Sequence, residues 1–228
     1  MKRLAFLSLG LAAMVMMNSC GGGSSTTSEN GLYDKAIQSA EEAVPIVNNP
    51  VVGDLVSLNQ QSLSAGDSLY AFYNREKRNL GENASDEEIG KLHENYVSAK
   101  EKIEKYYKDK MSAEEEKLVG QEVPVEFNKE QYSSVKACIT KFERTEVYFE
   151  ITMTLAAPLK NIKDGKPVAN WAILGEDGSV LRKSDEMGHP FGLDSKVTIS
   201  DNVAGAEGTL MAFTSISILK GATTLMFY

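Results

Sequence analysis

The chain has 228 residues, of which 42% are hydrophobic and 25% are charged, proportions that are ordinary for a globular protein. Its 32 acidic side chains outnumber 24 basic ones, which gives a formal net charge of −8 at pH 7. This balance argues against binding to nucleic acid and against adhesion to anionic lipid by charge, because both need clustered basic residues. We therefore expect no nucleic-acid partner.

The N-terminus has the organisation of a secretory signal. Lys2 and Arg3 precede an uncharged apolar run, from Leu4 to Met17, that is too short to cross a bilayer as a helix. Cys20 follows shortly after this run, and the residues after it are almost entirely Gly, Ser and Thr. A segment of that composition is typical of a flexible tether.

This arrangement resembles the signal of bacterial lipoproteins, in which cleavage occurs before a cysteine that becomes diacylated. Ser19 and Cys20 match the small residue and the acceptor thiol of that signal. Met17 and Asn18 stand where the family more often has Leu and a small residue, so the match is to a relaxed form of the pattern. The alternative is an ordinary signal peptide, which would leave Cys20 as a plain thiol.

The resemblance implies a signal peptide over 1–19, followed by a lipidated Cys20 and a tether that together cover 20–31. Two or more acyl chains would anchor the protein stably, since each buried methylene contributes about 0.8 kcal/mol. In this family an Asp after the cysteine retains some members in the inner membrane, whereas this chain has Gly21. The expected location is the outer membrane, on its periplasmic side or at the cell surface.

Apolar residues recur at helical spacing over 32–120, which predicts a helical domain built as an antiparallel hairpin or bundle. The first helix is expected to be shortened or kinked by Pro45. For the second helix the sequence favours Asn49 as N-cap and Pro50 at the first helical position.

A third helix is predicted to begin at the capping box that runs from Ser85 to Glu88. A separate short helix is expected to follow it, from Ser112 to Leu118. The helical pattern ends near Gly120, where the boundary of the domain is placed.

From Gln121 the pattern alternates with period 2, which predicts antiparallel strands over 121–228. Asp177-Gly178 indicates a tight hairpin turn. The predicted fold class is therefore α+β, with the helical domain followed by an antiparallel β-sandwich. The segment 165–181 weakly resembles the hairpins of immunoglobulin-like modules in envelope lipoproteins, and a compact β-barrel is the alternative. Tyr228 is predicted to lie on an edge strand.

Candidate site residues are few. The loop after Ser184 carries acidic residues and a histidine that fit no metal or triad spacing, which favours an ordinary loop; these residues are Asp185, Glu186, His189 and Asp194. Three aromatic residues are candidate ligand contacts, although core packing is favoured for the first of them: Trp171, Tyr148 and Phe191. Cys138 is predicted to lie on the opposite face of its strand from Ala137 and Ile139.

The function that this pattern favours is a membrane-anchored envelope lipoprotein that acts as a non-enzymatic binding or structural module. We predict no cofactor, no metal and no catalytic residue. The expected partner is the membrane, through the lipid, together with an envelope protein or a glycan. Two alternatives are a surface module that binds carbohydrate or another ligand, and a hydrolase that uses His189 with Asp185 or Asp194.

Overall fold

Three helices come first in the computed structural model, which describes residues 29–160, 162–184 and 197–228. They are α1 (Glu29–Ala43), α2 (Leu55–Leu80) and α3 (Asp86–Leu118). The three helices pack together around a cluster of small, aliphatic and tyrosine side chains: Leu32, Ala36, Ala40, Ala65, Leu69, Leu92, Ala99, Ile103 and Tyr107. The predicted helical arrangement is confirmed at this level.

Two helix ends follow directly from the local sequence. The capping box of α3 is present: Ser85 Oγ accepts the Glu88 N–H at 3.3 Å, and the Glu88 carboxylate accepts the Ser85 N–H at 2.9 Å. Helix α1 ends at Ala43, two residues before Pro45, because proline disfavours helical backbone in the residue that precedes it.

Two predictions about helix boundaries are wrong. Helix α2 begins at Leu55 rather than at Pro50, because the Asn49 side chain instead closes a short turn with the backbone of the next residues. Ser112 starts no separate helix, since α3 continues without a break to Leu118. That stretch contains no Pro or Gly that would interrupt the helix.

The remainder of the described chain is built from strands and one short 3₁₀ helix, Ile216–Leu219. The strands are β1 (Glu122–Val123), β2 (Val125–Phe127), β3 (Tyr132–Glu143), β4 (Glu146–Leu155), β5 (Ile162–Lys163), β6 (Lys166–Ala169), β7 (Trp171–Gly175), β8 (Val180–Lys183), β9 (Val197–Thr198), β10 (Glu207–Ser215) and β11 (Ala222–Phe227). The turn between β7 and β8 contains Gly178 at a φ of 75°, as the Asp-Gly pair predicts.

These strands form two four-stranded sheets, with the orders β1-β3-β4-β10 and β2-β11-β7-β8, and a smaller sheet in the order β5-β6-β9. The prediction of purely antiparallel pairing is wrong at one place, because β2 and β11 run parallel, with Val125 opposite Leu225. The edge position predicted for Tyr228 is wrong as well. Strand β11 lies between β2 and β7, and Tyr228 exchanges two backbone hydrogen bonds with Asn170.

Both four-stranded sheets contribute to one hydrophobic core. Its largest fully buried side chains include Trp171, Tyr132, Phe149 and Phe227, which come from both sheets. The core also takes in apolar residues from the start of α2 and the segment before it, namely Val51, Val52, Leu55 and Val56. The helices and sheets therefore meet through buried apolar contacts at this point.

Candidate functional site

A cleft of about 710 Å³ lies where the segment between α1 and α2 meets the β region. Volumes of roughly 300–1,000 Å³ are typical of small-molecule sites. One wall comes from the helical side and includes Ala43, Val44, Pro45, Val47, Val56 and Gln60. The opposite wall comes from the turn after β7 and the start of β11, and includes Glu176, Lys220, Gly221, Ala222 and Thr223.

Asn49 fixes the position of these two walls. Its Nδ2 donates hydrogen bonds to the carbonyl oxygens of Leu219 and Ala222, at 3.0 and 2.9 Å. Its Oδ1 accepts the backbone N–H groups of Val51 and Val52, at 2.8 and 3.0 Å. A buried amide that satisfies both donors and its acceptor in this way is a specific joint between segments that are distant in sequence.

Two polar side chains of α2 bind the segment that follows α1. Ser57 Oγ accepts the Val47 N–H at 3.0 Å and donates to the Val47 carbonyl at 3.3 Å. Gln61 Nε2 donates to the Val44 carbonyl at 2.7 Å, while Gln61 Oε1 is buried without a hydrogen-bond partner among the described residues. These contacts hold the connecting segment against α2 and leave Val47 with 65% of its surface exposed.

The lining of the cleft determines what it can bind. Its lining is mainly apolar, and Ser57 and Asn49 are already engaged in holding the backbone. Two exposed charged residues, Glu176 and Lys220, lie at the rim, and neither forms an ion pair with any described residue. Within the described ranges, no group of three His, Cys, Asp or Glu side chains is placed to hold a metal ion. An apolar or amphipathic molecule is the natural occupant of such a lining.

Most of the sequence-predicted site residues lie outside the residues that the structure describes: Cys20, Asp185, Glu186, His189, Phe191 and Asp194. Trp171 is described and is only 1% exposed, so it packs in the core as favoured from the sequence. Cys138 is partly exposed, while Ala137 and Ile139 beside it are buried, which confirms the predicted face of β3.

Tyr148 is half-buried on the outer face of β4, away from the cleft. Its ring stacks on Phe213 with 5.3 Å between centroids, and Lys141 Nζ lies 4.1 Å from its centroid. The phenol is within hydrogen-bonding distance of Glu143 and Glu146, at 3.2 and 3.3 Å. Desolvation raises the pKa of the Tyr148 phenol, and the neighbouring carboxylates raise it further.

The cleft was not predicted from the sequence. Its walls are contributed by segments about 170 residues apart, and none of its lining residues belongs to a recognisable motif. The one available signal was the Asn49-Pro50 pair, which marks a chain reversal but does not show what the asparagine binds. No protein-family model matches this sequence, and a search of curated proteins returned no significant relative.

Proposed function

We propose that this protein is a lipid-anchored protein of the bacterial envelope, held in the outer membrane through Cys20, that binds another envelope component without catalysis. The single observation that carries the anchor is the order of residues at the N-terminus, where a basic pair, an apolar run, Cys20 and a Gly/Ser-rich tether follow one another. Among the described residues no helix has both the length and the apolar character needed to cross a membrane.

The binding role is supported by the cleft between the helical segment and the β region, in which Asn49 and Ser57 hold the backbone of the walls in place. A rigid cleft with a mainly apolar lining can bind a ligand without large rearrangement, which favours affinity. The carbohydrate alternative depends on Tyr148, which stacks on Phe213, and on Phe191, which lies outside the described residues, because Trp171 is buried in the core. The hydrolase alternative depends on His189, outside the described residues.

We also propose that the two four-stranded sheets form a β-sandwich of the immunoglobulin-like kind. The supporting observation is that buried side chains from both sheets belong to one core, with Trp171 in one sheet and Phe149 in the other. The parallel pairing of β2 with β11 is a departure from a purely antiparallel sandwich.

The anchor can be tested by replacing its acceptor thiol. In cells fed an alkyne-tagged fatty acid, the unmodified protein should incorporate the label and sediment with outer membranes. Cys20→Ser should lose the label and move to the soluble fraction, because the acyl chains supply the membrane affinity. The measurement is in-gel detection of the label together with membrane fractionation.

Cys138→Ser is the matched control, because Cys138 is the only other cysteine of the chain. It should retain both the label and the membrane fraction. A Cys20→Ser protein that still sediments with membranes would refute the anchor, as would label that depends on Cys138 instead.

A further inference from the structure

The edges of the two four-stranded sheets differ in length. Three of them are closed by very short strands, since β1, β2 and β8 have two, three and four residues. The fourth edge is β10, which has nine residues. Proteins commonly protect sheet edges by keeping them short, so β10 is the exception in this molecule.

On the side of β10 that faces away from β4, the backbone has no hydrogen-bond partner among the described residues. Ala206 and Ile216 direct their backbone groups towards β4, as shown by the bonds Leu155 N–H to Ala206 O and Ile216 N–H to Thr145 O. Orientation alternates along a strand, so the N–H and C=O groups of Thr209, Met211 and Phe213 point away from the sheet. No hydrogen bond from these outward groups to another described residue is present.

The side chains of β10 do not oppose pairing. The run from Gly208 to Ser215 contains no charged residue and no proline, the two features that most often block an edge. Met211, at the centre of the strand, is 56% exposed, and it lies on the same outer face as the stacked rings of Tyr148 and Phe213. The edge therefore carries no charge from Gly208 to Ser215 and is long enough to pair with another strand.

We propose that β10 pairs with β10 of a second copy of this chain, antiparallel and centred on Met211, so that the two four-stranded sheets join into one. In this register Phe213 lies opposite Thr209 of the partner subunit, an aromatic and β-branched pair that stabilises sheets. Glu207 is the only charged residue of the strand, and it lies opposite Ser215 of the partner subunit rather than another acid.

A second copy fits this edge because the strand is complementary to itself. Centring the pair on Met211 uses the full length of both strands and places outward backbone groups opposite outward backbone groups. A two-fold contact of this kind closes on itself and leaves no further edge of comparable length in either sheet. The joined sheet would have eight strands, which is within the usual range.

The first test is a disulfide across the two-fold axis. Directly opposite residues in a hydrogen-bonded antiparallel pair have Cα atoms about 5.5 Å apart, within the range that a disulfide spans. The full-length protein in detergent, carrying Met211→Cys and Cys138→Ser, should oxidise to a covalent dimer on a non-reducing gel. Val203→Cys with Cys138→Ser is the control, because Val203 is equally exposed, at 58%, but lies outside β10.

The second test uses charge. Met211→Lys places two like charges opposite each other and should convert the dimer to a monomer in light scattering, whereas Val203→Lys should leave the dimer intact. A monomeric unmodified protein, an unchanged dimer with Met211→Lys, or equal cross-linking at 203 and 211 would each overturn the proposal. In the Cys138→Ser protein Cys20 is the only cysteine left. A covalent dimer of that protein would show that Cys20 is a free thiol, so failure of the lipid anchor is distinguished from failure of the β10 contact.

Discussion

The helical region and the β region bury their apolar surface with side chains of different size. The helical cluster contains four alanines, Ala36, Ala40, Ala65 and Ala99, which let the helix backbones approach closely. These alanines make up four of its nine buried residues, whereas the β core has four alanines among 26 buried residues and includes Trp171, Phe149 and Phe227. In the proposed β-sandwich the two sheets would lie about 10 Å apart, and large side chains would fill the space between them.

The two regions also differ in how far apart in sequence their contacts are. Each helix packs mainly against the next one along the chain, through connections that the sequence marks with turn residues and caps. In the β region β2 pairs with β11, about one hundred residues later, and β10 pairs with β4. The spacing of apolar residues along the chain is therefore enough to predict a helical bundle, whereas strand order depends on contacts between distant segments.

The largest loss of stability is expected from a substitution in the β core. Phe149→Ala removes a fully buried ring from the central strand β4 and should lower the free energy of unfolding by about 3–5 kcal/mol. Leu69→Ala in the helical core should cost about 2–5 kcal/mol and less than Phe149→Ala, because it removes less volume. Urea denaturation followed by Trp171 fluorescence measures both, and a larger loss for Leu69→Ala would contradict the prediction.

An intermediate effect is expected where the two regions join. Asn49→Ala leaves the carbonyls of Leu219 and Ala222 without their amide donor and should cost on the order of 2–3 kcal/mol. Asn48→Ala is the matched control, because Asn48 is exposed, and its effect should be small.

Asn49→Ala should also uncouple the two regions. Helical circular dichroism and the fluorescence of Trp171, the only tryptophan, should give coincident unfolding curves in the unmodified protein and separate curves in the variant. Coincident curves in the Asn49→Ala protein would show that the joint depends on the apolar contacts alone.

The smallest effect is expected at the surface of the helical region. Tyr106 Oη donates to Glu41 Oε1 at 2.9 Å, and Lys110 Nζ lies 3.1 Å from the same oxygen. The hydrogen bond from Tyr106 is the main reason that the pKa of Glu41 lies below its usual value. Because Glu41 and Lys110 are substantially exposed, Tyr106→Phe should cost less than about 1 kcal/mol at pH 7.

The pH dependence of this effect has a definite sign. A carboxyl whose pKa is lowered by folding stabilises the protein above its unfolded pKa of about 4.3, and this stabilisation is lost as the pH falls through the folded pKa. The difference between the unmodified protein and Tyr106→Phe should therefore shrink below about pH 4. Tyr70→Phe, at an exposed tyrosine on α2, should show no such dependence in thermal unfolding at pH 7 and pH 3.

Several features of the fold could be predicted because their causes are local. The α3 capping box needs only Ser85 and Glu88 three residues apart, and the hairpin after β7 needs only the Asp-Gly pair. The alternation that buries Val147 and Phe149 needs only the pleat of a strand. The predicted helix boundaries were wrong where the same local residues are compatible with two structures, as at Asn49 and Ser112.

The candidate site could not be predicted because its cause is not local. Asn49 favours a helix N-cap in isolation, yet its amide satisfies carbonyls about 170 residues later, which only the folded chain brings within reach. The cleft has walls from both regions and no motif of its own. The open edge of β10 likewise depends on strand order, which the alternating pattern does not specify.

The helical segments and the change to strands after Gly120 could be predicted without the structure, because each depends on residues close together in the chain. The same holds for the basic pair, the apolar run and the Gly/Ser-rich tether that surround Cys20. Three features could be seen only in the folded chain: the parallel pairing of β2 with β11, the interior position of β11 and the hydrogen bonds of Asn49. They depend on which distant segments bury each other's apolar faces and form hydrogen bonds with each other's backbone groups. No short stretch of residues specifies either of these partners.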